Sequence, residues 1–99
     1  MAIYSIIDFE REIQFSCTDD TYILDAAEEA GVRDLPYAGR MGTDSSSAAR
    51  LLSGKVDQRD GSFLNERQKA AGFFLTDTSY PLSDCVVQFS VEAELYDYE

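Results

Sequence analysis

The residues best equipped for chemistry lie between Leu35 and Ala49, LPYAGRMGTDSSSAA, where Asp44, Ser45, Ser46 and Ser47 run consecutively with Arg40 a short way ahead of them. They offer oxygen: a carboxylate and three hydroxyls, suited to a hard cation, to accepting from nearby backbone N–H groups, or to hydrolysis if a base stands by. No such base is evident. The chain has no histidine, so the usual activator of a serine nucleophile is missing. Soft-donor chemistry has little more to work with, because the two cysteines, Cys17 and Cys85, are too few for a disulfide framework and too far apart for a metal-ligand spacing. Both fall in strand-like segments and read as buried free thiols, with a Cys17–Cys85 bridge as the alternative.

The elements around this loop must position it. IYSIIDF and EIQFSC have strand composition, with Ile3, Ile7 and Phe9 on one alternation and Ile13 and Phe15 on another, which predicts an antiparallel hairpin turning near Glu10 and Arg11. At DDTYILDAAEEAG the period changes: Asp19, Asp20 or Thr21 can cap a helix whose apolar face carries Ile23, Leu24, Ala27 and Ala30, and Gly31 stops it. Asp25, Glu28 and Glu29 fall toward the opposite face, available to solvent or a partner. Beyond the loop, ARLLSG predicts a short strand, SFLNERQ a helical turn capped by Ser62, GFFLT another strand, and CVVQFSV a closing strand with Cys85, Val87, Phe89 and Val91 alternating. That order is α+β, a mixed sheet over one main helix.

A chain of 99 residues with no internal repeat or linker suits one domain spanning 1–99. No apolar run is long enough to cross a bilayer, and MAIYSIIDFE has neither a basic n-region nor a small-residue cleavage site, so the expectation is a soluble, unexported protein. A net charge of −11 and a pI near 4.1 exclude nucleic acid, whose phosphates this surface repels, and favour a protein partner with a basic surface. The acids gather in two groups, Asp19, Asp20, Asp25, Glu28, Glu29 and Asp34, then Asp84, Glu92, Glu94, Asp97 and Glu99. A purely solubilising acidic face also accounts for that composition. Such charge predicts a monomer when the protein is free.

A more specific frame runs through Thr21–Gly31, Leu35-Pro36-Tyr37, Gly54, Val56-Asp57-Gln58, Ser62-Phe63-Leu64, Gly72-Phe73, Leu75-Thr76, Tyr80-Pro81 and Ser83-Asp84-Cys85. Over nearly its whole length the chain resembles the plant-type two-iron two-sulfur ferredoxins of cyanobacteria and chloroplasts. The resemblance implies a β-grasp fold. It also implies docking residues at matching positions, namely Asp25, Glu28 and Glu29 on the helix, Phe63 after the loop, and Glu92 and Glu94 near the end. The partners it implies are photosystem I, the ferredoxin reductase or the ferredoxin-dependent NDH complex. The matching location is cyanobacterial cytoplasm, peripheral to the thylakoid, or chloroplast stroma.

The departures from that family decide the expected function. The plant-type ligand spacing, C-x4-C-x2-C and one distant cysteine, falls here on Gly39, Asp44, Ser47 and Asp77. Oxygen donors and a glycine do not replace four thiolates, so the expectation is no cluster and no cofactor. Loop N–H groups that would face sulfur then need other acceptors, since each costs about 1–3 kcal/mol if buried unpaired. Asp44, Asp77, Ser45, Ser46 and Ser47 are expected to accept from them, Arg40 to neutralise Asp44 or Asp77, and Met41 to fill part of the emptied volume. A hard cation on Asp44, Ser47 and Asp77 is the other use of the same oxygens. The substitutions differ from site to site, which fits a natural paralogue that lost its cluster better than a redesign. The resulting expectation is no enzyme, but a cluster-free binding or regulatory subunit that docks through its acidic surface. An electron carrier with an atypical metal or thiol centre is the competing class.

Overall fold

The computed structural model describes residues 1–37, 41–42 and 45–98; the roles expected of Gly39, Arg40, Asp44 and Glu99 lie outside the described residues. Strands β1 (Ile3–Asp8) and β2 (Ile13–Thr18) form the opening hairpin, and α1 (Ile23–Glu29) follows. Then come β3 (Ala48–Ser53), β4 (Val56–Asp57), α2 (Glu66–Ala70), β5 (Phe73–Leu75), β6 (Tyr80–Pro81), β7 (Cys85–Gln88) and a 3₁₀ helix (Glu92–Tyr98). The main sheet has the order β2-β1-β7-β3-β5, and β4 and β6 make a separate two-stranded ladder. Its central pair, β1 and β7, is parallel, and the other pairs are antiparallel. This mixed sheet packed on α1 is the β-grasp arrangement expected.

Helix α1 forms because Ile23, Leu24, Ala26 and Ala27 make one buried face against Ile6, Phe15, Cys85, Val87 and Phe89 of the sheet. Its start differs from the expected cap. Tyr22 holds the N-cap position without a side-chain cap, and the first helical N–H groups of Ile23 and Leu24 donate instead to the carbonyls of Ser79 and Thr76, at 3.0 and 2.9 Å. Asp20 and Thr21 are engaged with Thr18 Oγ1, at 2.6 and 2.7 Å, and Asp19 Oδ2 accepts from Ala2 N–H. Gly31 does stop the helix: at φ +90° it lets its own N–H reach Glu28 O and the Val32 N–H reach Ala27 O, a Schellman closure. Ala30 is exposed, as the C-cap. For α2 the cap is Asn65, not Ser62, in a capping box with Gln68.

On β1 the side facing α1 carries Ile6 and Asp8, while Ile3 and Phe9 are 67% and 71% exposed. The more apolar alternation therefore faces away from the helix. At the other end, Val91 leaves the β7 alternation and joins Ala48, Leu64, Phe73, Leu75 and Leu95 in a second core cluster. Arg50, which the sequence reading passed over, fastens the 3₁₀ helix to β3. Its guanidinium carbon lies 5.1 Å from the Phe73 ring centre and 5.5 Å from that of Tyr98, while Nε donates to Ala71 O and Nη2 to Tyr98 Oη.

Cys17 and Cys85 are buried and free. They lie on strands either side of β1, opposite Tyr4 and Ile6, and two strand spacings of about 4.8 Å exceed the Cα separation of roughly 4.4–6.8 Å that a disulfide requires. The bridge is closed to them. Burial, then Cys85 and the nearby acids, push the Cys17 thiol from 9.0 up to about 12, and burial raises Cys85 as well. An unfolded Cys17 ionises at lower pH than the folded one, so its contribution to stability is intact below pH 9 and is lost as pH rises toward 12. At pH 8 both thiols are expected to resist an aromatic disulfide reagent until denaturant is added; full reaction in the native protein would refute this burial.

Candidate functional site

The loop is tied down through Gly42. Its carbonyl accepts from Ser62 N–H at 2.8 Å and Phe63 N–H at 3.1 Å, and its N–H donates to Asp77 Oδ2 at 3.4 Å. Facing it, Thr76, Asp77, Thr78 and Ser79 are all buried. Thr76 donates through both N–H and Oγ1 to Ser47 O at 3.1 Å, which sets Ser47 alongside Asp77. Two of the four sequence-matched ligand positions, Ser47 and Asp77, are thus neighbours and buried. The other two, Gly39 and Asp44, fall outside the described residues.

The oxygen groups are used unequally. Asp77 accepts from the Gly42 N–H and from Thr78 Oγ1. Ser45 Oγ donates to the Glu92 carboxylate and so joins the loop to the 3₁₀ helix. The Ser47 hydroxyl is 3% exposed as a residue, and its oxygen has no hydrogen-bond partner among the described residues; the same is true of Ser79. Ser46 is half-buried. Met41 is 70% exposed, so it does not fill interior volume: a flexible side chain is turned outward where the surrounding segment is polar.

The residues expected to meet a partner form two patches. Asp20, Asp25, Glu28 and Glu29 line a groove of about 530 Å³ together with Tyr22 and Tyr80. The two rings lie 4.7 Å apart, and Tyr22 Oη donates to Asp60 Oδ2 at 2.8 Å. Hydrogen bonding to Tyr80 and to Asp60 pushes the Tyr22 phenol well above its usual pKa, so it remains a proton donor. Glu28 also lines an adjoining recess with Val32, Arg33 and Tyr37, which carries this surface to the start of the loop. In the second patch Phe63, 43% exposed, shares a small recess with Ser45, Glu92, Leu95 and Tyr96. Glu94 turns to Arg50 at 3.9 Å. The tyrosines escaped the sequence reading because Tyr22 and Tyr80 are far apart in the chain; the Tyr80-Pro81 match was the available signal.

A two-iron two-sulfur cluster takes four thiolates. The chain has two cysteines, both on sheet strands with thiols held in the protonated form, and the described residues include no group of three or more His, Cys, Asp or Glu arranged to hold a metal. The donor set does not fit that cluster.

Sheet order, helix α1 and the Gly42-anchored loop together define a ferredoxin-type β-grasp domain. The chain belongs to the 2Fe-2S iron-sulfur cluster binding domain family, which matches residues 6–82. It is 51% identical over 85 residues to chloroplastic ferredoxin-6 of Zea mays, covering 86% of this chain and 54% of that protein. With ferredoxin-2 of Leptolyngbya boryana it shares 39% identity over 99 residues, covering 96% of this chain and 99% of the relative. The crystal structure of pectocin M2 superposes with a TM-score of 0.88 at 44% identity, over 94% of this chain and 34% of that one. The chain thus spans about half the length of the maize relative and a third of pectocin M2.

Proposed function

We propose that this ferredoxin-shaped chain, acting as one unit over residues 1–99, is a docking or regulatory subunit that carries no iron-sulfur cluster. It binds a protein with a basic surface of the kind that receives ferredoxins, with photosystem I, the ferredoxin reductase and the NDH complex as candidates. The observation that supports this reading is the combination of two buried, protonated thiols with surface acids and one aromatic, Phe63, at the positions matched to ferredoxin docking residues. Of the vacated positions, Asp77 takes a structural role by holding the Gly42 N–H, and Ser47 joins it through its carbonyl, which accepts from Thr76. Cyanobacterial cytoplasm or chloroplast stroma follows from the same resemblance.

Aerobically purified protein is expected to be colourless and to contain substoichiometric iron. Stoichiometric iron with visible iron–sulfur absorption would return the chain to electron carriage. Docking is tested by bait pull-down at low salt, then by association kinetics with the retained partner. Reversing Glu28 and Glu29 to lysine is expected to slow association about tenfold and to flatten its salt dependence. Glu92 and Glu94 are left in place because their carboxylates also hold Ser45 and Arg50. An association rate indifferent to the reversal would sink the acidic-face reading.

A further inference from the structure

We propose that the free edge of β2 takes up an extended segment of a partner protein, bearing lysine or arginine at alternate positions, as an additional antiparallel strand. β2 is an end strand of the main sheet and pairs there with β1 alone. Opposed residues of an antiparallel pair alternate between those that exchange backbone bonds with each other and those that do not. One position beyond the Ile3–Thr18 pair, the Asp19 N–H donates to Ala2 O, so Ile13, Phe15 and Cys17 are the β2 residues that bond β1. Ser5, opposite Ser16, agrees with this phase: its N–H turns away from β2 and donates to Asp84 Oδ1 at 2.9 Å. Gln14, Ser16 and Thr18 therefore turn their N–H and C=O groups outward. The Thr18 carbonyl accepts from Thr21 N–H at 3.2 Å. The outward groups of Gln14 and Ser16 have no hydrogen-bond partner among the described residues, and both residues are exposed.

Edge strands are ordinarily guarded by a lysine, a proline, a bulge or a covering segment. The sequence of β2, IQFSCT, has no lysine or proline, and its register with β1 runs unbroken over all six residues. What it leaves to satisfy is main chain, which an added strand matches and a helix does not. Charge then selects the side chains of that strand. Phe15 and Cys17 face α1, so the added residues opposite them lie on the α1 side of the sheet. The acids of α1 reach this edge: after burial and Cys85, the charges of Asp20, Glu29 and Asp25 add to the rise of the Cys17 thiol. Glu12, Asp19 and Asp20 flank the strand, and the one base in those turns, Arg11, lies 3.8 Å from the buried Asp8. Arg33, past the helix, shares its recess with Glu28 and Tyr37. The occupant thus carries lysine or arginine on the α1 side and threonine-type residues beside Gln14 and Ser16. A second copy is disfavoured, because β2 on β2 would bring these acids together on chains that each carry −11. The proposal rests on the docking reading for the basic character of the partner, but its main-chain bonds are its own.

The experiment uses the intact chain, isotope-labelled, and a capped eight-residue peptide that alternates threonine and lysine. In the free chain the Gln14 and Ser16 N–H groups are expected to exchange quickly with solvent and those of Phe15 and Cys17 slowly; bound peptide should slow Gln14 and Ser16 about tenfold. In antiparallel addition the threonines opposite Gln14 and Ser16 direct their N–H groups at β2. N-methylating the threonines is therefore expected to weaken binding about tenfold, while N-methylating the lysines, at identical charge, leaves it within about threefold. Ser16→Pro deletes an outward donor that β1 does not use, and should weaken the unmethylated peptide about tenfold as well. Unchanged shifts for the buried residues of α1 show that this variant is folded, and the methylated pair tests the native chain without it. Equal affinity for the two methylated peptides, or unprotected Gln14 and Ser16, would overturn the proposal by showing charge attraction alone. Self-association of the free chain that Ser16→Pro abolishes would overturn it in favour of a second copy. Either result leaves the acidic-face reading standing where reversal of Glu28 and Glu29 still slows the partner, and protection of the edge without that slowing removes the acidic-face reading alone.

Discussion

Asp8→Ala is expected to lower unfolding free energy by about 3 kcal/mol, because it deletes an acceptor of three backbone hydrogen bonds and leaves the buried Phe89 N–H unpaired. Asp8 is 1% exposed, on the core side of β1. Its Oδ1 accepts from the N–H groups of Glu10 and Arg11, at 3.0 and 3.1 Å, and its Oδ2 from the Phe89 N–H at 3.0 Å. One carboxylate thus shapes the first hairpin turn and pins the end of β7 to it. For a domain of this size the loss corresponds to a midpoint drop of roughly 12 °C or more. Asp8→Asn keeps one acceptor oxygen and presents a donor to the other N–H groups, so its loss should fall between wild type and alanine. Urea unfolding checks both; an alanine variant within 1 kcal/mol of wild type, about the size of a single net hydrogen bond, would refute this role.

Gly54→Ala is expected to cost about 2–4 kcal/mol, through a combination of backbone strain and overlap. Gly54 sits between β3 and β4 at φ +100°, and an added Cβ would come within 2.3 Å of Asp84 O and 2.8 Å of Ser83 Oγ. Neither contact can be relieved by moving a long side chain, since one partner is backbone and the short serine also accepts from Lys55 N–H. Gly31→Ala separates the two effects. It shares the positive φ, at +90°, but nothing lies within 4 Å of its added Cβ, so it should lose only about 1 kcal/mol. Equal losses at the two positions in thermal or urea unfolding would show that the close approach to Asp84 contributes nothing.

Periodicity was enough to find α1, its buried face and its glycine stop, because those depend on residues within one local stretch. The start of α1 was not legible, since the acceptors of its first N–H groups are the carbonyls of Thr76 and Ser79, over fifty residues away. Asp8 was hidden for the same reason: a lone acid among Ile3, Ile7 and Phe9 reads as solvent-facing until the Phe89 N–H is seen against it. The cap of α2 was a misreading of available information, as Asn65 followed three residues later by Gln68 is a capping-box spacing. At the site, the nearness of Ser47 to Asp77 came from the family frame and the shared recess of Phe63 and Glu92 from neither frame nor pattern, because pattern does not encode which distant segments pack together. The family frame did not foresee Arg50, whose partners Phe73, Ala71 and Tyr98 arrive from three separate segments.

The parallel pairing of β1 with β7 has a consequence for how the molecule is made. Strand β1 lies in the interior of the sheet, yet its partner on that side is made after all the other described strands, and the Asp8 to Phe89 bond closes a separation of 81 positions. Until β7 arrives, β1 has only β2, and a two-stranded hairpin is marginal by itself in water. The loop-closure entropy of that final step must be met before the core rewards it, which marks this as a slow-folding topology whose nascent chain exposes Ile6 and the Ile7 edge throughout synthesis. An unpaired β1 edge, open to strands of other chains until β7 covers it, is therefore written into the strand order itself.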